Sequence, residues 1–129
     1  MQAIPMDWTL DIQRGPQWLW VRVRPPEQPA GHVPWLEPRL RRLLEMHSTY
    51  HLILELDGFS SLPVVLVGHL LSLARWIRGR DGFLRLCGLS PQGVDLIERC
   101  GLAGYLPSYQ DREEALCGGQ RSCQPRQPR

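Results

Sequence analysis

The sequence contains no lysine, so every one of its 15 permanently cationic side chains is an arginine. A P-loop nucleotide site needs a lysine next to its glycine-rich turn, so that class of site is excluded. An all-arginine composition suits the recognition of phosphate or carboxylate groups, and it is also what a G+C-rich coding sequence produces. The formal net charge is only +2, which is too small to indicate a nucleic-acid-binding protein.

Long apolar runs are also missing. The longest one, residues 62–71, is interrupted by Pro63, Gly68 and His69 and is too short to span a bilayer. The first eight residues lack the basic region and apolar run of a targeting segment. The sequence therefore predicts a cytoplasmic protein with no membrane insertion.

The spacing of the four cysteines excludes two common sites. No pair among Cys87, Cys100, Cys117 and Cys123 has the Cys-x-x-Cys spacing of a zinc ribbon or a thioredoxin-type centre. An even number of cysteines permits disulfides, but no other feature suggests export. We expect Cys87 and Cys100 to behave as small apolar residues, one in a strand and one facing inward from a helix.

Length and composition predict one α/β domain. The 129 residues are 43% hydrophobic, which is enough for one core, and we place that domain at residues 1–117. Residues 118–129 consist mainly of Gly, Gln, Arg, Ser and Pro, so we expect them to be disordered.

The periodicity of apolar residues predicts the order β-β-α-β-α-β-α-(β)-α. Alternating strands at residues 8–12 and 18–24, joined by Gly15-Pro16, predict an antiparallel hairpin. The later βαβ units predict parallel strands covered by helices. The expected core comprises Leu54, Leu56, Leu66, Leu70, Leu73, Leu84, Leu86 and Ile97.

No assembled catalytic site is visible. His47 and His51 have the spacing of two metal ligands on a helix, but Ser48-Thr49-Tyr50 ends the helix between them. Glu55 and Asp57 follow a strand and could act as acid and base, although carboxylates at strand ends more often anchor loops. We expect neither an enzyme nor a bound cofactor or metal.

The start of the second predicted helix, residues 63–67, is apolar around its whole circumference. A helix that packs on a sheet needs only one apolar face, so Val64 and Val65 are candidates for exposure and for docking. An alternative is contact with the loop at residues 25–34. Trp76 stands among Arg75, Arg78 and Arg80 on the same helix and is a second candidate for exposure.

Several segments taken together resemble a STAS domain, the fold of bacterial anti-sigma factor antagonists and of sulfate-transporter tails. They are LILELDGF at residues 52–59, GHLL at 68–71, GFLRLCG at 82–88, LIERCGL at 96–102 and DREEAL at 111–116. The resemblance covers residues 6–117. It implies a mixed four- to five-stranded sheet with helices packed against it.

The chain departs from the family pattern at one functional position. Phosphorylatable members carry Asp-Ser-Ser-Gly where this sequence has the four residues 63–66, and no hydroxyl remains there. Ser60 and Ser61 come three or more residues too early, so we expect the phospho-switch to be lost. The docking hypothesis names Ser60, Ser61, Leu62, Pro63, Val64, Val65 and Trp76.

The resemblance implies non-catalytic binding of another protein, either an anti-sigma factor kinase-like domain or another component of a regulatory complex. A homodimer is also possible on this interpretation. Two alternatives stay open: an accessory subunit of a lipid-transport ABC complex, and a nucleotide-binding sensor. The absent lysine and phosphate loop count against the sensor.

Overall fold

A computed structural model describes residues 9–25, 36–59 and 62–117. The order of elements matches the order predicted from sequence. The strands are β1 (Thr9–Arg14), β2 (Leu19–Arg24), β3 (His51–Glu55), β4 (Phe83–Cys87) and β5 (Ser108–Tyr109). The helices are α1 (Leu36–His47), α2 (Val64–Arg78), α3 (Pro91–Arg99) and α4 (Arg112–Cys117).

The five strands form one mixed sheet in the order β1-β2-β3-β4-β5. The β1–β2 hairpin is antiparallel, while β2, β3, β4 and β5 run parallel to their neighbours. The predicted hairpin, the parallel βαβ units and the mixed sheet are therefore confirmed. The predicted disordered segment, residues 118–129, lies outside the described residues.

The main core lies between one face of the sheet and the helices α1, α2 and α3. Alternate residues of the three central strands point into it, from Leu19 and Val21 on β2 to Leu84 and Leu86 on β4. The helices add apolar stripes that include Leu40, Leu70 and Ile97. All eight residues predicted to form the core are buried.

A smaller apolar cluster occupies the other face of the sheet. Ile53 and Cys87 pack there with Ala115 of α4, so helices cover both faces. Arg85 on β4 donates from Nη1 to the carbonyl oxygen of Ala115, 2.8 Å away, which satisfies a carbonyl at the end of α4.

The two short C-terminal helices begin with the capping residues that the sequence indicated. Ser90 Oγ accepts from the Gly93 amide, 3.2 Å away, and Asp111 Oδ1 accepts from the Glu114 amide, 2.9 Å away. The inward position expected for Cys100 is wrong. Helix α3 ends at Arg99, and Cys100 lies exposed at the C-cap.

Candidate docking face on the second helix

The first turn of α2 presents its valines to solvent. Pro63 is the N-cap, with φ −66° and ψ 139°, and its carbonyl oxygen accepts from the Val67 amide at 3.2 Å. Val64 is 70% exposed and Val65 is 49% exposed. The structure thus places both valines on the surface, as the all-round apolar pattern suggested. The alternative was a contact with the loop at residues 25–34, and most of that loop lies outside the described residues.

Leu62 does not belong to this surface. It is only 5% exposed and joins the main core, where its Cδ1 lies 3.5 Å from the position that a Cβ on Gly93 would occupy. Including Leu62 in the docking surface was therefore wrong, because this side chain anchors the segment that leads into α2. Pro63 is half-buried, and Ser60 and Ser61 fall in the gap between the described ranges.

The exposed residues of α2 form one continuous strip, which we call the outer face. It consists of Val64, Val65, Gly68, Ser72, Arg75 and Arg78. At 3.6 residues per turn these positions span roughly 140° of the helix circumference. A Cβ built on Gly68 would meet no atom of residues 9–25, 36–59 or 62–117 within 4 Å, so these residues leave the middle of the outer face uncovered.

Trp76 lies beside the outer face and is already engaged within the domain. The guanidinium carbons of Arg80 and Arg41 lie 4.2 Å and 5.0 Å from the centre of its ring, and Tyr50 meets it edge to face at 5.7 Å. Trp76 is half-buried and packs against the core. The sequence placed Arg80 near this tryptophan but did not indicate Arg41, which comes from α1.

Glu37 joins α1 to α2 through a small polar cluster. Its Oε2 accepts from Arg41 and from Ser72 Oγ, the latter at 2.8 Å, and its Oε1 lies 4.0 Å from His69 Nδ1. The carboxylate is therefore satisfied by side chains of both helices. Sequence periodicity could not show this contact, because it depends on how the two helices pack.

The carboxylates considered as acid and base are held by neighbouring strands. Trp20 Nε1 donates to Glu55 Oε1 at 3.0 Å, and Arg22 donates to both oxygens of Asp57 at 3.0 Å and 2.6 Å. The hydrogen bond with Asp57 and its charge raise the pKa of Arg22. Glu55 and Asp57 thus anchor the end of β3 to β2, as carboxylates at strand ends commonly do.

His51, one of the two histidines with metal-ligand spacing, contacts a backbone carbonyl and an aromatic ring. His51 Nδ1 lies 3.1 Å from the Gln17 carbonyl oxygen, and its ring stacks on Phe83 with the centroids 4.4 Å apart. Over residues 9–25, 36–59 and 62–117, no group of three His, Cys, Asp or Glu side chains could hold a metal ion.

A cavity of about 330 Å³ lies at the opposite end of the sheet, where β2 and β3 begin. Its lining includes Arg14, Trp18, His47, Tyr50, His51 and Arg80. Arg14 donates to the carbonyl oxygen of His47 in α1 at 3.4 Å. Arg80 donates to the carbonyl oxygen of Trp76 in α2 at 3.3 Å. The sequence did not indicate this cavity.

The cysteines differ in their surroundings. Burial raises the pKa of the Cys87 thiol to about 12, with further contributions from the charges of Glu55, Asp111 and Asp57. Cys100 is a free, exposed thiol, and Cys117 is disulfide-bonded. No helix within the described ranges has the length and apolar content needed to cross a membrane.

The sequence matches the model of one known protein family. The family model of the STAS domain matches residues 30–115, two thirds of the chain. This chain belongs to the STAS domain family. The match includes α1, the three strands β3, β4 and β5, and the whole outer face of α2. A comparison with curated protein sequences gives no significant match.

Solved structures share the STAS fold at low sequence identity. The NMR structure of the protein TM1081 has a TM-score of 0.72 at 12% identity, with 90% of each chain covered. RsbS of Moorella thermoacetica, in a serine-to-glutamate variant, gives 0.70 at 13% identity over 84% of this chain and 92% of that one. An anti-sigma-factor antagonist (STAS) domain protein from Planctomyces limnophilus gives 0.58 at 13% identity, covering 84% and 96%.

Proposed function

We propose that this STAS domain is a non-catalytic protein-interaction module that docks through the outer face of α2. The observation that carries the proposal is the exposure of Val64 and Val65, at 70% and 49%, on the first turn of that helix. Val64 and Val65 are adjacent and exposed on a helix that already buries a full apolar stripe, so they add apolar surface to the free domain. Burial against a partner would remove them from water.

The partner that we propose is another regulatory protein. One structural neighbour is described as an anti-sigma-factor antagonist (STAS) domain protein. By analogy of fold, an anti-sigma factor kinase-like domain or another component of a regulatory complex would bind this chain. The domain would occupy residues 1–117 and work in the cytoplasm.

We further propose that docking is constitutive. Phosphorylation adds about two negative charges and three acceptor oxygens, and it can break an interface through charge and desolvation. The first turn of α2 begins Val64-Val65 and has no hydroxyl to receive a phosphoryl group. An apolar pair at this position favours association that a kinase cannot reverse there.

The test is the double variant Val64→Asp/Val65→Asp, compared with wild type in binding to the partner encoded by the source organism. Aspartates in the first turn of a helix are favoured by the helix dipole, so the circular-dichroism melt should change little. Fully burying a valine is worth about 1.5–3 kcal/mol, so losing both valines should lower the affinity roughly tenfold or more. Unchanged affinity with an intact fold would refute the proposal.

Met46→Asp is the matched control, because Met46 is 68% exposed and lies on α1 instead of α2. This variant should bind the partner like wild type. Light scattering of the free domain adds a third measurement. If a dimer dissociated only in the α2 variant, the partner would be a second copy of this chain.

A nucleotide sensor is the second candidate function, and the cavity at the start of β2 and β3 favours it. Arg14 and Arg80 could meet phosphates there, and Trp18 and Tyr50 could contact a base. Calorimetric titration of the domain with GTP and ATP tests this candidate. Binding that is lost in Arg80→Ala would support it, and the absence of heat at millimolar nucleotide would rule it out.

A further inference from the structure

The outer face of α2 has two chemically different ends. Val64 and Val65 form an apolar end at the start of the helix, and Arg75 and Arg78 form a cationic end in its last turns. Val64 and Arg75 are eleven positions apart, which is about 16 Å along the axis and roughly 20° around it. Both ends therefore point to the same side of the domain.

We propose that this face binds an acidic helical segment of the partner protein. An apolar side chain of the segment would cover Val64 and Val65, and a carboxylate about 16 Å along it would pair with Arg75 and Arg78. This inference rests on the proposed docking function and specifies the chemistry of the partner.

The cationic end has no counterion among the residues that the structure describes. Helix α2 contains no Asp or Glu, and in the part of the chain that the structure describes neither Arg75 nor Arg78 lies within ion-pair distance of a carboxylate. Arg22, Arg24, Arg41 and Arg99, by contrast, are each paired with an acidic side chain. Among the described residues, neither arginine of the outer face is held in an ion pair, so both can pair with a carboxylate from outside.

Tyr105 holds these two arginines in place. The guanidinium carbons of Arg78 and Arg75 lie 4.6 Å and 5.9 Å from the centre of its ring, and Arg78 also donates to the Gly104 carbonyl oxygen at 3.2 Å. A guanidinium that lies over a ring can still offer its remaining N–H donors to the oxygens of a carboxylate. Less side-chain entropy is then lost when a carboxylate binds.

Gly68 lies between the two ends and allows close approach. Glycine is the least favourable residue inside a helix after proline, and no contact among the described residues requires it, since none of them comes within 4 Å of its Cβ position. Without a side chain at this point, the backbone of a bound helix can come closer to α2. The occupant is therefore a segment that crosses α2 over Gly68.

A protein segment fits this face better than nucleic acid or an anionic membrane. Those polyanions bind through many cations spread over a wide surface, whereas four of the six residues of this strip are apolar or uncharged. The formal net charge of the chain is also only +2. The combination of an apolar end and a short cationic end is what an amphipathic acidic helix complements.

Two synthetic peptides of about five helical turns test the inference. They share a leucine-bearing half and differ only in carrying Glu or Lys in the other half. Each is titrated into the ¹⁵N-labelled full chain and followed through amide chemical shifts. We expect the Glu peptide to shift signals along α2 and to bind at least tenfold tighter than the Lys peptide, with a difference that shrinks as salt is added.

Variants identify the residues responsible. Arg75→Glu should weaken the Glu peptide at least fivefold and strengthen the Lys peptide, while Arg42→Glu, an exposed site on α1, should change neither. Gly68→Ala should raise the Tm by a few degrees, because alanine favours the helix, and yet weaken the Glu peptide. A purely structural role for Gly68 would not produce both effects.

Equal binding of the two peptides, shifts confined to other surfaces, or no binding of either peptide would each overturn the inference. So would Arg75-dependent binding of phosphatidylglycerol vesicles or of an oligothymidylate in place of the Glu peptide, since the occupant would then be lipid or nucleic acid. The proposed docking function is tested separately, with the natural partner and the valine variants, so the two can fail independently.

Discussion

Gly82 lies directly against the backbone of Tyr50: a Cβ on residue 82 would fall 2.0 Å from the Tyr50 carbonyl oxygen and 2.6 Å from the Tyr50 Cβ. The same carbonyl oxygen accepts from the Phe83 amide at 3.1 Å, where β3 and β4 begin to pair. Any side chain at position 82 must therefore push apart two strands of the central sheet.

Gly82→Ala should destabilise the domain by at least ~2 kcal/mol, because the atoms in the way are main chain and cannot rotate aside. Urea melts followed by circular dichroism measure this change. Gly104→Ala is the control, since nothing lies within 4 Å of its Cβ position, and it should shift stability by less than ~1 kcal/mol. Equal stability of the two variants would contradict the close approach of residues 50 and 82.

Leu70 on α2 is 1% exposed and packs in the main core. Leu70→Ala should cost ~2–5 kcal/mol, because it removes buried methyl groups and leaves a cavity between α2 and the sheet. Met46→Ala, at a position that is 68% exposed, should change stability by no more than ~0.5 kcal/mol. A Leu70→Ala domain as stable as wild type in urea would show that this face of α2 does not pack inward.

The thiol of Cys87 should be inert at neutral pH and should contribute to stability in a pH-dependent way. Its pKa is raised by burial from an ordinary value of 9.0 to about 12, so the folded state holds the proton more tightly than the unfolded chain. This contribution is complete below about pH 9 and is lost as the pH rises towards 12.

Two measurements check the behaviour of Cys87. Maleimide labelling at pH 7.5, read by peptide mass spectrometry, should modify the exposed Cys100 well before Cys87. Between pH 8 and 11, the free energy of unfolding should fall less steeply in Cys87→Ala than in wild type. Rapid labelling of Cys87 in the folded protein would contradict its burial.

No phosphate should be found at the start of α2 in protein purified from its native host. Residues 64 and 65 are valines, and the only serines close to them in sequence, Ser60 and Ser61, precede the helix. Intact-mass analysis followed by peptide mapping is the measurement. Stoichiometric phosphate on either serine would mean that the segment before α2 presents a hydroxyl, and constitutive docking would have to be abandoned.

Much of the fold could be predicted from local patterns. Alternation in β2 and the 3.6-residue stripe of α2 correctly assigned the buried sides of both elements, because each pattern reports which side faces the core. Ser90 and Asp111 marked helix starts through chemistry that acts within four residues. The exposure of Val64 and Val65 could be predicted because the start of α2 is apolar all round, and a sheet covers only one face of a helix.

The predictions that were wrong, and the features that the sequence did not indicate, depend on where helices end and on how distant segments pack. Leu62 was grouped with its exposed neighbours, but its side chain turns inward towards Gly93, some thirty positions later. Cys100 continues the apolar spacing of Ile97, yet α3 ends one residue before it. Arg41 over Trp76, and the cavity at the start of β2 and β3, arise from the meeting of separate segments and leave no local pattern.

The spatial order of the strands is also their order along the chain, and this has a consequence for folding. Every strand pairs with the one that precedes it in sequence, so none has to be inserted between two strands that are already joined. The sheet can grow by one edge only, starting from the β1–β2 hairpin, as a ribosome delivers the chain. Each parallel pairing still closes a crossover, since Leu19 pairs with Leu52 and His51 with Phe83, so the contacts are sequential along the chain without being local.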